Sequence, residues 1–200
     1  MSEPGELWRD APTELAPEDD ALERFVVELA RVGGTSTQVA PRALTGEVES
    51  TLAGAGAVRV ALTADLSDAR PVLAAALAAA GYRVWEYEAI TDDRDAVRTL
   101  DATVTGCLAA VAATGSIVTG GAAGRGGALV APLHVCVVER RRLVGGLADL
   151  MRLIHRLGGG SMVALQTGPS RTADIEKSLI IGVHGPKRVH VILLDGVLDN

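Results

Sequence analysis

A chain of 200 residues with 48% hydrophobic and 22% charged side chains has the composition of a globular protein and is long enough to bury a sizeable core. Its net charge of −6 excludes the basic footprint that broad nucleic-acid binding needs, and 2% aromatics leave no platform for stacking bases and demand an aliphatic core. The longest apolar run, Val72 to Ala80 between Pro71 and Gly81, is too short for a bilayer span of about 20 residues, so neither nucleic-acid binding nor membrane insertion is expected.

The N-terminal MSEPGELWRD lacks the basic start and apolar stretch of a secretory signal, which makes a cytoplasmic location the expectation. Residues 1–17 carry Pro4, Pro12 and Pro17 and read as a flexible tail, with Trp8 as its one anchor; residues 18–200 read as one domain. A helix is expected from about Glu18, because Leu22, Phe25, Val26 and Leu29 fall on one face and Gly33-Gly34 ends it. A polar connector leads to a second helix over Pro41–Leu52. Val58–Leu62 then predicts a strand, Asp68–Ala80 an Ala-rich helix stopped by Gly81, and Tyr82–Tyr87 a second strand. This order is a βαβ unit, so the sheet should be largely parallel with a right-handed crossover.

Asp101–Thr105 predicts a further strand, and Cys107–Ala113 with Ser116–Thr119 a hairpin turning at Thr114-Gly115. A Gly-rich loop, Gly120–Gly127, follows. Then come a strand over His134–Val138, an amphipathic helix over Leu143–Leu157, a strand over Met162–Gln166, a helix over Thr172–Ile181 and a last strand over Val189–Leu194. Alternating elements of this kind make the class α/β.

Cys107 and Cys136 stand far apart without the C-x-x-C spacing of zinc or iron–sulfur sites. They read as buried core thiols, and no intrinsic metal or cofactor is expected. The run Arg140-Arg141-Arg142 reads as a solvated helix start or loop. The Gly120–Gly127 stretch fits neither the nucleotide-phosphate nor the dinucleotide pattern; it is either a mobile connection or a loop whose Arg125 closes over an anion. His134 and His190 sit in apolar strand patterns and are assigned to the core. His155 lies on a helix and says little.

The segment TGPSRTADIEKSLIIGVHGPKRVHVILLD, Thr167–Asp195, is the most informative. The turn Thr167–Ser170 follows a strand and opens a predicted helix, where free backbone N–H groups can hold an anion. Arg171 adds a planar fork suited to a carboxylate or phosphate. The bland alternative is a capped helix start, with Thr172 as cap and Asp174 and Glu176 complementing the dipole. In the compact turn Gly182–Pro186, His184 beside Gly185 either acts as acid, base or hydrogen-bond donor or is structural.

TGPSRTADIE, then GVHGP, then VHVILL, in this order, resemble the C-terminal signature of LUD-domain proteins of the lactate-utilisation protein C group. ATGSIVTGG, Ala113–Gly121, resembles that family's central hairpin, and the resemblance runs from about residue 20 to the end. It implies the fold shared with phosphosugar isomerases and CoA transferases: a Rossmann-like three-layer α/β/α sandwich with a mainly parallel sheet and an inserted β-hairpin. It also implies a place in bacterial oxidation of L-lactate to pyruvate, beside two partner proteins, at least one carrying the iron–sulfur clusters that this chain lacks the cysteines to bind.

The expected role is an accessory or regulatory subunit that binds a small anionic metabolite, with self-association left open. Thr114, Gly115, Ser116, Gly168, Ser170, Arg171, Asp174, Glu176, His184 and Gly185 would line the site. Arg171 would hold a carboxylate or phosphate, and Asp174 and His184 would orient it or relay protons. Two alternatives stand beside this: a stand-alone enzyme on a CoA thioester, sugar phosphate or folate, and a complex-assembly protein without a ligand. Many members of the family carry Glu-Thr-Gly-Thr at the hairpin turn; here it reads Ala113-Thr114-Gly115-Ser116. A carboxylate at the first position could attack a CoA thioester; Ala113 cannot.

Overall fold

The computed structural model describes the backbone of residues 20–156, 163–173, 179–181 and 185–196, and their side chains except at 121–125, 171–173 and 179–181. The predicted tail, with Trp8, lies outside these residues. Helix α1 (Ala21–Arg31) buries Ala21, Phe25 and Leu29 on one stripe, as the four-residue spacing dictates. Strand β1 (Thr35–Val39) follows, then α2 (Leu44–Ala55), β2 (Arg59–Leu62), α3 (Ala69–Ala79) and β3 (Arg83–Glu86). Two short helices, α4 (Tyr87–Ile90) and α5 (Arg94–Arg98), lead to β4 (Ala102–Thr105). The hairpin is β5 (Ala109–Val111) and β6 (Ser116–Gly120), followed by α6 (Gly121–Val130) and β7 (Leu133–Glu139). After β8 (Leu143–Val144) come α7 (Leu147–Arg156), β9 (Val163–Gln166), β10 (Arg171–Ala173), β11 (Leu179–Ile181) and β12 (Arg188–Leu194).

Six strands form one sheet in the order β1-β12-β7-β4-β2-β3, every neighbouring pair parallel. Strand β7 shows why this sheet lies between two layers. Leu133, Val135 and Val137 join the cluster formed with α2 and α3, while Cys136 and Val138 join the opposite one with α1. A two-residue side-chain period with both faces apolar requires cover on both sides. The hairpin belongs to a second, four-stranded sheet, β8-β5-β6-β9. Its Ala110, Ile117 and Leu143 face α1 and the main sheet; its Val111, Val118 and Val144 face Leu150 and Leu153 of α7. The architecture is the expected Rossmann-like three-layer α/β fold.

Four elements depart from the sequence reading. The polar connector before Pro41 is strand β1, an edge strand whose Gln38 amide donates to Asp195; its Thr-Ser-Thr-Gln-Val sequence has β-branched residues but no buried face to betray it. The Gly120–Gly127 stretch is helical from Gly121 onward. Glycine is a poor helix former, but α6 must lie close on the sheet: a Cβ at Gly127 would sit 2.5 Å from Thr63 Cγ2, and Thr103 Oγ1 donates to the Gly127 carbonyl at 2.7 Å. Leu143-Val144 pair beside β5 before the helix begins at Leu147. Finally, the predicted helix Thr172–Ile181 is replaced at both ends by β10 and β11, which pair antiparallel with Arg171 opposite Ile181. Thr172, Ile180 and Ile181 are β-branched and favour the extended backbone. The case for an anion at a helix N-terminus after Ser170 loses its basis with that helix.

Candidate functional site

In a parallel sheet the turns leaving the strands' carboxyl ends gather at one edge. After β2, Thr63 leads into a tight 3-10 turn over Ala64–Leu66. Asp65 folds back there, accepting the Thr63 hydroxyl and the Gly106 backbone N–H, the latter at 2.9 Å. Gly106 leaves β4 directly against this turn; a Cβ on it would lie 2.2 Å from the Asp65 carbonyl oxygen. Glu88 holds the turn from the far side, accepting the Ala64 N–H at 2.8 Å and Arg70 at 3.0 Å. Strand β7 ends at Glu139, and a 3-10 turn over Arg140–Arg142 follows.

These turns enclose a cavity of about 70 Å³ whose wall includes Asp65, Ser67, Cys107, Glu139, Arg141 and Arg142. Arg141 pairs with Glu139 at 2.9 Å. Burial pushes the Asp65 carboxyl above its ordinary range, against the hydrogen bonds from Thr63 and Gly106. A carboxyl so placed exchanges a proton nearer neutral pH than an exposed one. Ser67 has φ 50° and ψ −126° and is the one non-glycine with positive φ among the described residues. Such a backbone costs about 1–3 kcal/mol and persists where surrounding structure over-determines it. Cys107 is buried beside Cys136, whose thiol donates to the Gly106 carbonyl at 3.5 Å and is pushed well up by burial. Two guanidinium groups, the carboxyls of Asp65, Asp68 and Glu139, and a thiol thus line a space of roughly six water-sized positions.

The described residues among those picked from the sequence lie elsewhere. Gly115, at φ 61° in the hairpin turn, packs so closely on α1 that a Cβ would sit 2.2 Å from the Leu29 nitrogen. Thr114 Oγ1 and Ser116 Oγ are 2.7 Å apart, and Ser116 Oγ is 2.8 Å from Thr167 Oγ1, so the hairpin and the Thr167–Ser170 turn are laced together. Gly168, Ser170 and Gly185 line a second, larger cleft of about 290 Å³ with Thr119 and Gln166. The Ser170 N–H donates to the Pro186 carbonyl at 2.9 Å, which places this cleft by the amino end of β12, away from the carboxyl edge. Arg171 contributes its backbone to β10. Asp174, Glu176 and His184 lie outside the described residues, as do the side chains of Arg171 and Arg125.

His134 is fully buried, with Nδ1 2.7 Å from Gln166 Oε1 and Nε2 2.8 Å from Thr105 Oγ1. Burial lowers its imidazole to about 4, the Gln166 bond opposing, so it is a neutral, satisfied core histidine. His190 is half-buried between Thr35 and Thr37. The sequence reading missed Asp65, Ser67 and Glu139; the Arg140–Arg142 run is the expected solvated turn, with Arg140 and Arg141 exposed, and Arg141 and Arg142 also line the carboxyl-edge cavity. The available signal was position: Glu139 ends a strand of the parallel sheet, and the other groups follow one by two to five residues.

Among the described residues no three His, Cys, Asp or Glu side chains gather as metal ligands, and no helix is long and apolar enough to cross a membrane. A family model described as LUD domain matches residues 14–194. A lactate utilization protein C of Deinococcus radiodurans is 33% identical over 98 residues, 47% of this chain and 46% of that protein. Lactate utilization protein C 1 of Bacillus mycoides is 29% identical over 121 residues, 57% of this chain and 52% of that protein. The chain spans about half the length of the curated relatives it matches. A crystal structure of a DUF162 family protein from Deinococcus radiodurans superposes with a TM-score of 0.66 at 23% identity, over 88% of this chain and 96% of that one, and shares the fold. With the family model covering most of its length, the chain belongs to the LUD domain family.

Proposed function

We propose that this chain is an accessory component of lactate utilisation that binds a small 2-hydroxy or 2-oxo carboxylate at the carboxyl edge of its parallel sheet. One observation carries the reading: Arg141 and Arg142 converge with the buried Asp65 on a cavity of about 70 Å³. A three-carbon hydroxy acid fills roughly six water-sized positions. A CoA thioester, a sugar phosphate or a folate could place no more than its tip there, which disfavours the stand-alone enzyme. The guanidinium groups supply charge-assisted hydrogen bonds to a carboxylate, and Asp65 meets the hydroxyl or carbonyl at the neighbouring carbon. The names of the relatives support the metabolic setting. On this reading the oxidation itself belongs to iron–sulfur partner proteins, and this chain reports or holds the metabolite for them.

The test is a thermal-shift and calorimetric titration with L-lactate and pyruvate, set against sugar phosphates and CoA esters. A ligand at 100 times its Kd adds about 2.7 kcal/mol, which for a domain of this size raises Tm by about 5–10 °C. Arg142→Ala and Arg141→Ala should each weaken binding at least tenfold while the circular dichroism spectrum is retained. Absent binding of both acids, or affinity unchanged in both variants, would sink the proposal.

A further inference from the structure

The second cleft differs in chemistry from the carboxyl edge. It has about four times the volume, about 290 Å³ against about 70 Å³. No charged residue lines it among the described residues. Its wall is mainly apolar, with Ala128, Leu129 and Leu165 among its lining, and Thr119, Gln166 and Ser170 add hydroxyl and amide groups. Leu129 and Leu165 are 45% and 47% exposed, large apolar side chains left open to solvent at the rim.

Two groups in this wall are set to bond something the protein does not supply. Thr119 is 0% exposed, yet its hydroxyl has no hydrogen-bond partner. A buried unpaired hydroxyl costs about 1–3 kcal/mol, and natural cores tolerate few of them. Gln166 is held in one orientation: its Oε1 is engaged by His134 at 2.7 Å. That leaves the amide N–H₂ with a long 3.5 Å contact to the Ala128 carbonyl. His134 in turn is fixed by Thr105 at 2.8 Å, so the orientation of the Gln166 amide is set by a buried chain of three side chains. Thr119 can donate or accept, and Gln166 can donate.

The geometry points to a second binding site here, for an uncharged, partly apolar molecule with a hydrogen-bonding edge, such as a heteroaromatic amide. Among the described residues the wall holds no charge to neutralise a charged ligand, which an apolar site penalises heavily. The apolar rim covers the body of the molecule, and Thr119 and Gln166 read its polar edge. This site is independent of the carboxylate proposed at the carboxyl edge.

Nicotinamide and nicotinate are a matched pair of probes, of one shape and differing in charge. Titrated into the ¹⁵N-labelled full chain, nicotinamide should shift the amides of Thr119, Gln166 and Ser170, with millimolar affinity for so small a compound. Nicotinate should bind at least tenfold more weakly. Thr119→Val keeps shape and removes the hydroxyl; it should weaken nicotinamide at least fivefold while leaving the protein as stable or more so, and Thr119→Ser should restore binding. The proposal is overturned by equal affinity for the two probes, by nicotinamide shifts that survive Thr119→Val, by no shift in the cleft, or by broadening of the same amides that grows with protein concentration alone, which would make the face a self-association surface.

Discussion

The two cavities are built on opposite principles. At the carboxyl edge, three turns leave three strands of the parallel sheet, and each delivers a charged or titratable group to one small space. The sheet fixes where the turns begin, so Asp65 and the Arg140–Arg142 turn meet although some 75 residues separate them. The cleft by the four-stranded sheet is a wall instead: Thr119 and Ala164 are paired across β6 and β9, and the side chains lining it are hydroxyl, amide or apolar groups. Turns bring chemistry together from far along the chain; a sheet face offers shape and a few fixed donors.

The largest effect expected from breaking either side of this contrast is at the glycines where backbones cross. Gly115→Ala places a Cβ 2.2 Å from the Leu29 nitrogen at a positive φ. Overpacking against backbone costs about 1–3 kcal/mol, and the αL conformation adds about 1 kcal/mol more, for about 2–4 kcal/mol in urea unfolding. Gly106→Ala meets the Asp65 carbonyl at the same 2.2 Å distance without the positive φ and should cost about 2–3 kcal/mol. Gly106→Ala should also abolish carboxylate binding while leaving nicotinamide binding within twofold. Costs below 0.5 kcal/mol in both variants, on the order of a neutral surface change, would show that these crossings are loose.

Next in size is the titration of His134, the group behind the cleft wall. Its imidazole is held at about 4 against 6.5 unperturbed. The unfolded chain therefore takes up a proton near pH 6.5 that the folded chain refuses until about pH 4. Stability falls as pH drops through that window, by about 3 kcal/mol in all. In ¹⁵N spectra the ring should stay neutral, with the proton on Nδ1 facing Gln166, down to about pH 4. A His134 that titrates near pH 6.5 would mean that the Thr105–His134–Gln166 chain is open to water and that Gln166 is not held.

Much of the architecture is legible in the sequence because it rests on local patterns. The stripe of Leu22, Phe25, Val26 and Leu29 and the apolar runs at Val58–Leu62 and Val189–Leu194 each signal their element without help from the rest of the chain. What was not legible depends on tertiary contact. Strand β1 is polar and becomes a strand by pairing with β12. Helix α6 is rich in glycine and is held by Tyr87, Thr63 and Thr103 packed against it. The carboxyl-edge site was hidden for the same reason. Asp65 stands in an ordinary-looking Thr-Ala-Asp-Leu-Ser stretch, and no pattern within a window of ten residues ties it to Cys107 or Arg142. The motif TGPSR is the stronger local signal, and its Gly168 and Ser170 line a cleft by the amino end of β12 rather than the carboxyl edge.

The smallest effect sharpens the contrast most, because it separates function from stability at one atom. Burial raises the Asp65 carboxyl above its ordinary range, so the folded chain keeps a proton that the unfolded chain has already released. Above the ordinary carboxylate range this residue therefore works against folding, increasingly so as pH rises through its folded value, and the penalty is absent below about pH 4, where both states are protonated. Asp65→Asn keeps an oxygen to accept the Thr63 hydroxyl and the Gly106 N–H but carries no charge. It should stabilise the protein by about 1 kcal/mol at neutral pH, with a gain that vanishes in acid. Carboxylate binding should weaken and lose its pH dependence at the same time. A variant destabilised equally at every pH, with binding unchanged, would make Asp65 a hydrogen-bonding strut for the β2 and β4 turns and nothing more.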